Sequence, residues 1–465
     1  MTVETISFIA LFLPISLVLY YLAIRSVKIQ NGLLILASLF FYGFGSESLW
    51  AVILLLLVIG WNWLGGFYLE KQQTKFRLAM IVVVNVGIFS GVRLLALPAL
   101  TTELSLPTII VPLGMAWFIL QGIGYCMEIY LGEVKAERNI MQFSLYMLFF
   151  PKLIHGPLID FPKMKEQMIQ RTFTIDGFTQ GLQRFIVGLA KKMLIADQFA
   201  YVINYAFVQT SIDSTVTQPP VLLIWFALLA NGIYLYFSLS GYADMAIGMA
   251  KMFGFQLPEN FREPFVATSL TDFWKRWNIT VIRWFRKYFL GFMNRNSNRD
   301  QITINLFITW LLIGIWMGFD WNFVFWGAFN FVILISEHFF SFSERVQSIL
   351  FRRIYTTLLV LVGFIFLRSQ SLYHTGQFLG DLFWLNNNPF YSAQVGVFIK
   401  ELWLPLIVAV FVMFIHPIIK EKDSYFDFEK YASVLRIGKI LGMICLYLLC
   451  LLLILLNFNI GQVLN

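Results

Sequence analysis

Apolar runs close to 20 residues long recur along almost the whole chain, and they constrain the fold more than any other feature. A hydrocarbon core roughly 30 Å thick takes about 20 apolar residues of α-helix to cross. The runs at 5–24, 32–45, 50–69, 78–97, 108–131, 219–238, 302–319, 321–341, 355–369, 398–418 and 433–457 meet or approach that length, with 32–45 short enough to lie tilted or partly at the interface. Only 13% of the residues are charged and the mean hydropathy is +0.73, whereas a soluble domain carries about 25% charged residues. A water-facing exterior cannot be built from this composition. The chain therefore reads as an all-α polytopic membrane protein of about eleven spans, with its 49 Phe and 14 Trp supplying lipid-facing surface and interfacial belts.

Charges between the runs set an orientation. Arg25 and Lys28, then Lys71, Lys75 and Arg77, then Lys135 and Arg138 fall on one side; Gly45–Ser48 and the Thr101–Pro107 loop with Glu103 fall on the other. Arg345, Arg352, Arg353, Lys420 and Lys422 join the first group. The positive-inside rule makes that side cytoplasmic and puts both termini outside it. The same rule accounts for the formal charge of +8 without nucleic acid. The run Ile6–Ile24 has no positive charge before it and a basic flank after it, so it reads as a retained first span rather than a signal peptide. Cys126, Cys445 and Cys450 all lie in apolar runs and read as small hydrophobes, giving no basis for a disulfide framework or a metal site.

The stretch 142–300 departs from this pattern. Its apolar pieces Phe143–Phe150, Phe185–Ala196 and Tyr242–Phe255 look too short or too interrupted to span. Broken backbone at membrane depth is tolerated where it is buried in protein or lines a water-filled cavity, so a cavity or tunnel is expected here. Two prolines and a glycine in Phe150–Pro157 forbid a continuous helix and predict a re-entrant turn. Asp244 and Lys251, seven residues apart, share a helix face, and an acid at membrane depth points inward, as a structural ion pair or at a functional site. In Ser269–Tyr288, Ser269 and Asp272 form a capping-box start, after which Phe273, Trp277, Trp284 and Tyr288 fall on one helical face and Arg276, Thr280, Arg283 and Lys287 on the other. Eight Lys or Arg against three Asp or Glu between Arg262 and Asp300 suit a basic amphipathic helix on a membrane surface.

These motifs resemble membrane-bound O-acyltransferases, specifically the bacterial branch that includes the membrane proteins of alginate O-acetylation and teichoic-acid D-alanylation. The resemblance rests on Gly241–Gly248, Met252–Phe255, Pro258–Phe261, Pro264–Phe265 and Phe273–Thr280, with Phe150–Pro157, Gly188–Asp197 and Asn305–Glu337 similar to further family blocks, and it covers nearly the whole chain in order. It implies a helical fold around a tunnel, one MBOAT-like domain over 1–465 with N-terminal spans at 1–140, a tunnel core at 141–340 and C-terminal spans at 341–465. It also implies a cytoplasmic acyl donor such as acetyl-CoA or an acylated carrier protein, with no bound cofactor, and an extracytoplasmic hydroxyl acceptor. The setting implied is a bacterial cytoplasmic membrane, with a glycan-modifying or glycan-synthesis protein as partner.

The family carries a tunnel histidine at each of two positions, and this chain has Asn278 and Met317 there. An amide donates and accepts hydrogen bonds but is no base near neutral pH, and a thioether accepts only weakly. Of the four histidines, His155 alone falls in a central motif; His338, His374 and His416 read as interfacial, loop and helix-end residues. The substrate-binding set implied by the resemblance is Tyr242, Asp244, Asn260, Trp274, Arg276, Trp277 and Trp316, together with His155. Three functions stay open on these residues: O-acylation of an extracytoplasmic glycan, a catalytically inactive scaffold or conduit in a polysaccharide complex, and transport of a lipid-linked or small polar substrate.

Overall fold

A computed structural model describes residues 2–46, 48–96, 110–209, 219–294, 298–340, 342–418 and 432–463; among them there is no strand. The helices used below are α1 (Leu13–Leu22), α2 (Val27–Ser46), α3 (Leu49–Lys71), α4 (Lys75–Leu95), α5 (Met115–Tyr130), α6 (Ile140–Leu148), α7 (Phe150–Leu153), α8 (Phe161–Ile169), α9 (Ile175–Ala190), α10 (Asp197–Gln209), α11 (Val221–Met252), α12 (Leu270–Trp274), α13 (Ile279–Trp284), α14 (Arg299–Met317), α15 (Trp321–Phe339), α16 (Ile349–Arg368), α17 (Leu372–Leu382), α18 (Ala393–Val410) and α19 (Ala432–Val463). Among the described residues, seven helical stretches are long and apolar enough to cross a membrane: α2, α3, α4, α11, Asp300–Met317 within α14, α16, and Ala393–Ile418, which begins with α18. The chain is a multi-pass membrane protein. The Thr101–Pro107 loop with Glu103, and Lys420 and Lys422, on which the orientation argument drew, lie outside the described residues.

Local sequence explains where the helices begin. The Thr74 side chain accepts from Arg77 N to start α4. Asn298 and Gln301 form a reciprocal capping box at α14, and Ser348 and Ser371 accept from the main chain at the starts of α16 and α17. Each replaces a partner that the first turn of a helix cannot find within itself.

Three segments differ from the sequence reading. The run 32–45 lies within a helix of 20 residues, α2. Tyr242–Phe255 is no separate piece: α11 runs unbroken for 32 residues, so Asp244 and Lys251 extend a span instead of ending one. Phe185–Ala196 likewise belongs to a continuous helical stretch, α9 passing through a π-turn at Lys191–Ala196 into α10. The polar residues in these segments break no helix because their side chains find partners across it. By contrast, Phe143–Phe150 does break: α6 ends at Leu148, and Phe149 turns the chain out of helix before the single turn of α7.

The chain forms two compact units, the first Met1–Val187, Tyr242–Glu259 and Leu451–Asn465, the second Gly188–Gly241 and Asn260–Cys450. In the first, Asn62 of α3 and Asn85 of α4 exchange amide hydrogen bonds at 3.0 Å in both directions, fully buried. Gly122 of α5 lies so close that a Cβ there would stand 2.6 Å from the Asn62 amide. Small residues and paired amides are the usual means of joining helices where lipid removes any hydrophobic drive. Gly181 of α9 and Gly248 of α11 meet in the same way, a Cβ on either lying 2.7 or 2.6 Å from the other's carbonyl oxygen. In the second unit α14 and α15 form a tight hairpin in which Gly314 faces the Phe323 carbonyl and Gly327 the Trp310 carbonyl.

Candidate functional site

The first unit holds three of the residues singled out from sequence: His155, Tyr242 and Asp244. The turn predicted at Phe150–Pro157 is present. His155 sits at φ 54°, in the left-handed region, and a Cβ on Gly156 would lie 2.8 Å from the Lys152 carbonyl oxygen. The His155 ring stands edge-on to Trp117 at 4.5 Å and tilted over Tyr242 at 5.6 Å. Among the described residues its enclosed Nδ1 has no hydrogen-bond partner, and burial pushes the imidazole down to about 4. Lys152, on the same turn, is buried with its ammonium position 4.3 Å over the Tyr146 ring, and burial holds that amine well below the ordinary lysine range. Tyr242 donates to Glu4 Oε2 at 2.8 Å.

Asp244 does not pair with Lys251. It accepts from Arg184 Nε and Nη2 at 3.0 and 2.8 Å. The same guanidinium donates through both Nη atoms to the Glu259 carboxylate at 2.5 Å, while Lys251 donates to Gln180 at 2.6 Å. The two carboxylates hold Arg184 protonated above its ordinary range against the cost of burial. One planar fork thus joins α9, α11 and the Pro258–Glu259 segment, a geometry that lysine cannot reproduce.

The second unit holds the other seven. Asn278 separates α12 from α13 at φ 45°, ψ 47°. The single amphipathic helix expected over Ser269–Tyr288 is therefore broken. The predicted start is correct, Ser269 Oγ accepting from Asp272 N at 3.1 Å. The Asp272 carboxylate, however, binds Thr268 N and Arg276 Nε at 3.3 and 2.9 Å, and past Trp284 the chain continues as a π-turn, Phe285–Leu290. Asparagine tolerates the left-handed region better than most residues, which fits its place at the break.

Asn260, buried, organises that break. Its Nδ2 donates to Asn278 Oδ1 at 3.0 Å; its Oδ1 accepts from Thr280 N and Oγ1 at 3.0 and 2.9 Å; its carbonyl accepts from Ile279 N at 2.9 Å. Arg262 N donates to the Arg276 carbonyl at 2.9 Å, closing the loop on its other side. Trp277 stands among Phe261, Phe273 and Phe364 at 5.1 to 5.3 Å. Trp274 donates to Asn330 Oδ1 at 3.1 Å and packs on Trp310 and Trp326. Glu337 accepts from Leu270 N at 2.8 Å and from Thr271 N at 3.4 Å, fixing the start of α12. Trp316 is buried 6.1 Å from Phe285, and Met317, half-buried, ends α14.

The structure thus gathers Asn260, Arg276, Trp277 and Asn278 around one break and places Trp274 beside it in a tryptophan cluster. Sequence reasoning passed over Arg184, Asn330 and the capping role of Glu337, and placed Thr280 on a polar helix face without its bond to Asn260. Arg184 directly precedes the run that begins at Phe185, and an arginine one turn before Gly188 was the available signal.

The family model of membrane-bound O-acyltransferases matches residues 133–373, which include every one of these side chains except Glu4 and Trp117. Among similar proteins, the probable alginate O-acetylase of Pseudomonas syringae pv. tomato is 33% identical over 396 residues, covering 81% of this chain and 74% of its own. The peptidoglycan O-acetyltransferase of Helicobacter pylori is 27% identical over 417 residues, covering 78% and 76%. The teichoic acid D-alanyltransferase of Bacillus subtilis is 26% identical over 262 residues, covering 54% and 65%. The chain belongs to the membrane-bound O-acyltransferase family.

Proposed function

We propose that this protein takes part in O-acylation of an extracytoplasmic cell-envelope polysaccharide, from the cytoplasmic membrane of a bacterium and with both termini outside the cytoplasm. The observation that carries the reading is the Asn260–Asn278–Thr280 network: the segment matched to the family is built around a main-chain break whose polar groups are bonded to one another, with Asn260 and Thr280 buried. Such a network fixes backbone dipoles in place before a substrate arrives, the preorganisation that acyl transfer needs for its developing oxyanion. The donor would be an acyl thioester, acetyl-CoA or an acylated carrier protein, and the acceptor a sugar hydroxyl. Asn278 and Met317, at the positions where the resemblance puts histidines, cannot take the hydroxyl proton. Their part is to position, with the proton accepted by the substrate, by another side chain or by a partner glycan-modifying protein.

The test is acyl transfer to a cell-envelope glycan in a strain deleted for the gene, complemented with wild type or with Asn260→Ala. Restored acylation with wild type and its loss in the variant at equal membrane abundance supports the reading. Normal acylation in the deletion strain overturns it. A second reading, an inactive scaffold, is favoured by one contact: Asn278 Oδ1 is already bonded to Asn260. It predicts that Asn260→Ala leaves acylation intact while loss of the whole chain abolishes it.

A further inference from the structure

The loop between α17 and α18 displays large apolar side chains on an unusually well-fastened frame. Phe383, Trp384, Leu385, Phe390 and Tyr391 are all exposed, Leu385 at 74%. Under them, buried Asp381 accepts at 2.8 Å from both Asn386 and Asn388. Asn388 also donates to the Pro219 carbonyl at 2.8 Å, and Trp384 Nε1 donates to the Asn388 carbonyl at 2.7 Å.

The end of α17 is a Schellman cap: Leu385 N donates to the Gly380 carbonyl at 2.8 Å and Trp384 N to that of Asp381 at 3.2 Å. The residue at the left-handed position of this motif is usually glycine. Here it is Trp384, at φ 59°. A tryptophan held where its own backbone is disfavoured is an outlier from which a function is properly inferred.

We propose that this loop is an interfacial anchor, seating Trp384, Leu385 and Phe390 at the boundary between lipid headgroups and acyl chains. Three observations favour lipid over a glycan or a protein. The loop is bonded to the first turn of a span: Val221 N and Leu222 N of α11 donate to the carbonyls of Pro389 and Phe390 at 3.0 and 3.2 Å, so it lies level with the end of a membrane helix. Its outward residues run on into α18, where Val397, Trp403 and Leu404 are exposed with Lys400 and Glu401 between them, the mix of apolar and charged side chains found at a membrane boundary. Two of its three asparagines turn inward to Asp381, and the indole N–H is bonded within the loop, which leaves an apolar surface with few of the outward donors that a sugar requires. Aromatic side chains at this level are the common membrane-interface anchor.

The test places a nitroxide at Leu385→Cys in a Cys445→Ser background, with Cys126 and Cys450 buried, in vesicles of phosphatidylcholine and phosphatidylglycerol. Its collision rates with oxygen and with a water-soluble nickel chelate are then measured. The anchor gives oxygen collisions well above nickel collisions. Trp384→Gly, which suits the left-handed backbone, and Trp384→Asn, which tolerates it, should raise nickel accessibility several-fold while thermal unfolding in detergent is unchanged or shifts upward. A label as open to nickel as one on a soluble peptide overturns the proposal, and its immobilisation by added polysaccharide would reassign the surface to glycan. Variants that unfold earlier without any change in depth would make Trp384 structural only, and also overturn it.

Discussion

In the first unit Arg184 meets Asp244 and Glu259 through a five-donor fork, with its own side chain still 31% exposed. In the second, Asn260 meets Asn278 and Thr280 with neutral groups alone, Asn260 and Thr280 buried and Asn278 half-buried. Both join a helix to the chain around Pro258–Phe261, and both satisfy polar groups in a molecule with little water around it. They differ in what failure leaves behind. Losing the arginine takes a shared cation from two carboxylates that water can still reach. Losing the asparagine removes three hydrogen bonds from a place where Asn260 and Thr280 are closed to water. The neutral network is therefore the more brittle of the two, and it also keeps its geometry over a wide pH range, since none of its groups ionises.

Asn260→Ala should show the largest effect. It removes three side-chain hydrogen bonds around a buried residue, at about 1 kcal/mol each and so about 3 kcal/mol together, read as a lower unfolding midpoint in detergent. Arg184→Met should cost about 2 kcal/mol, between the surface and buried ranges for ion pairs because the group is part-exposed. Adding Asp244→Asn and Glu259→Gln to that variant should recover most of the loss. If Arg184→Met proves the more damaging, the contrast between the two regions fails.

These two sites also show what could be read from sequence. The fold class followed from hydropathy, since only helices satisfy the backbone in lipid over such runs. Asn278 and Asn260 were found through their motif. The break at Asn278 was missed because the apolar and basic spacing over Ser269–Tyr288 is helical throughout, and periodicity carries no sign of a left-handed residue. On sequence Asp244 shares a helix face with Lys251; Arg184, to which it is bonded in the structure, is 60 residues away, and no local rule points across that distance. Tyr242–Phe255 reads as too short or too interrupted to span, yet it continues α11 because Asp244 has the Arg184 guanidinium beside it.

A smaller effect separates the regions by pH. The turn with His155 lies in the charged unit, and its imidazole is held at about 4 by burial against an ordinary value near 6.5. The folded state then binds fewer protons than the unfolded chain between these values. Stability from this group is complete above pH 6.5 and falls as pH drops towards 4. Thermal unfolding of wild type should decline over that window, and His155→Gln should flatten the decline. An unchanged slope would show that the turn opens to water.

The smallest expected change in stability is at Asn278. Histidine, like asparagine, is enriched in the left-handed region, so Asn278→His should keep the break and hold a ring nitrogen where Asn260 Nδ2 can donate, within about 1 kcal/mol of wild type. That near-neutrality makes it informative. If acylation in cells rises with the variant, the chain's chemistry is limited by the missing base, and the neutral network is a site built for transfer. If acylation is unchanged while Asn260→Ala abolishes it, the amide has a positioning role that no base improves. If neither substitution matters, the network serves the fold alone, and the contrast between the two regions is one of stability and not of function.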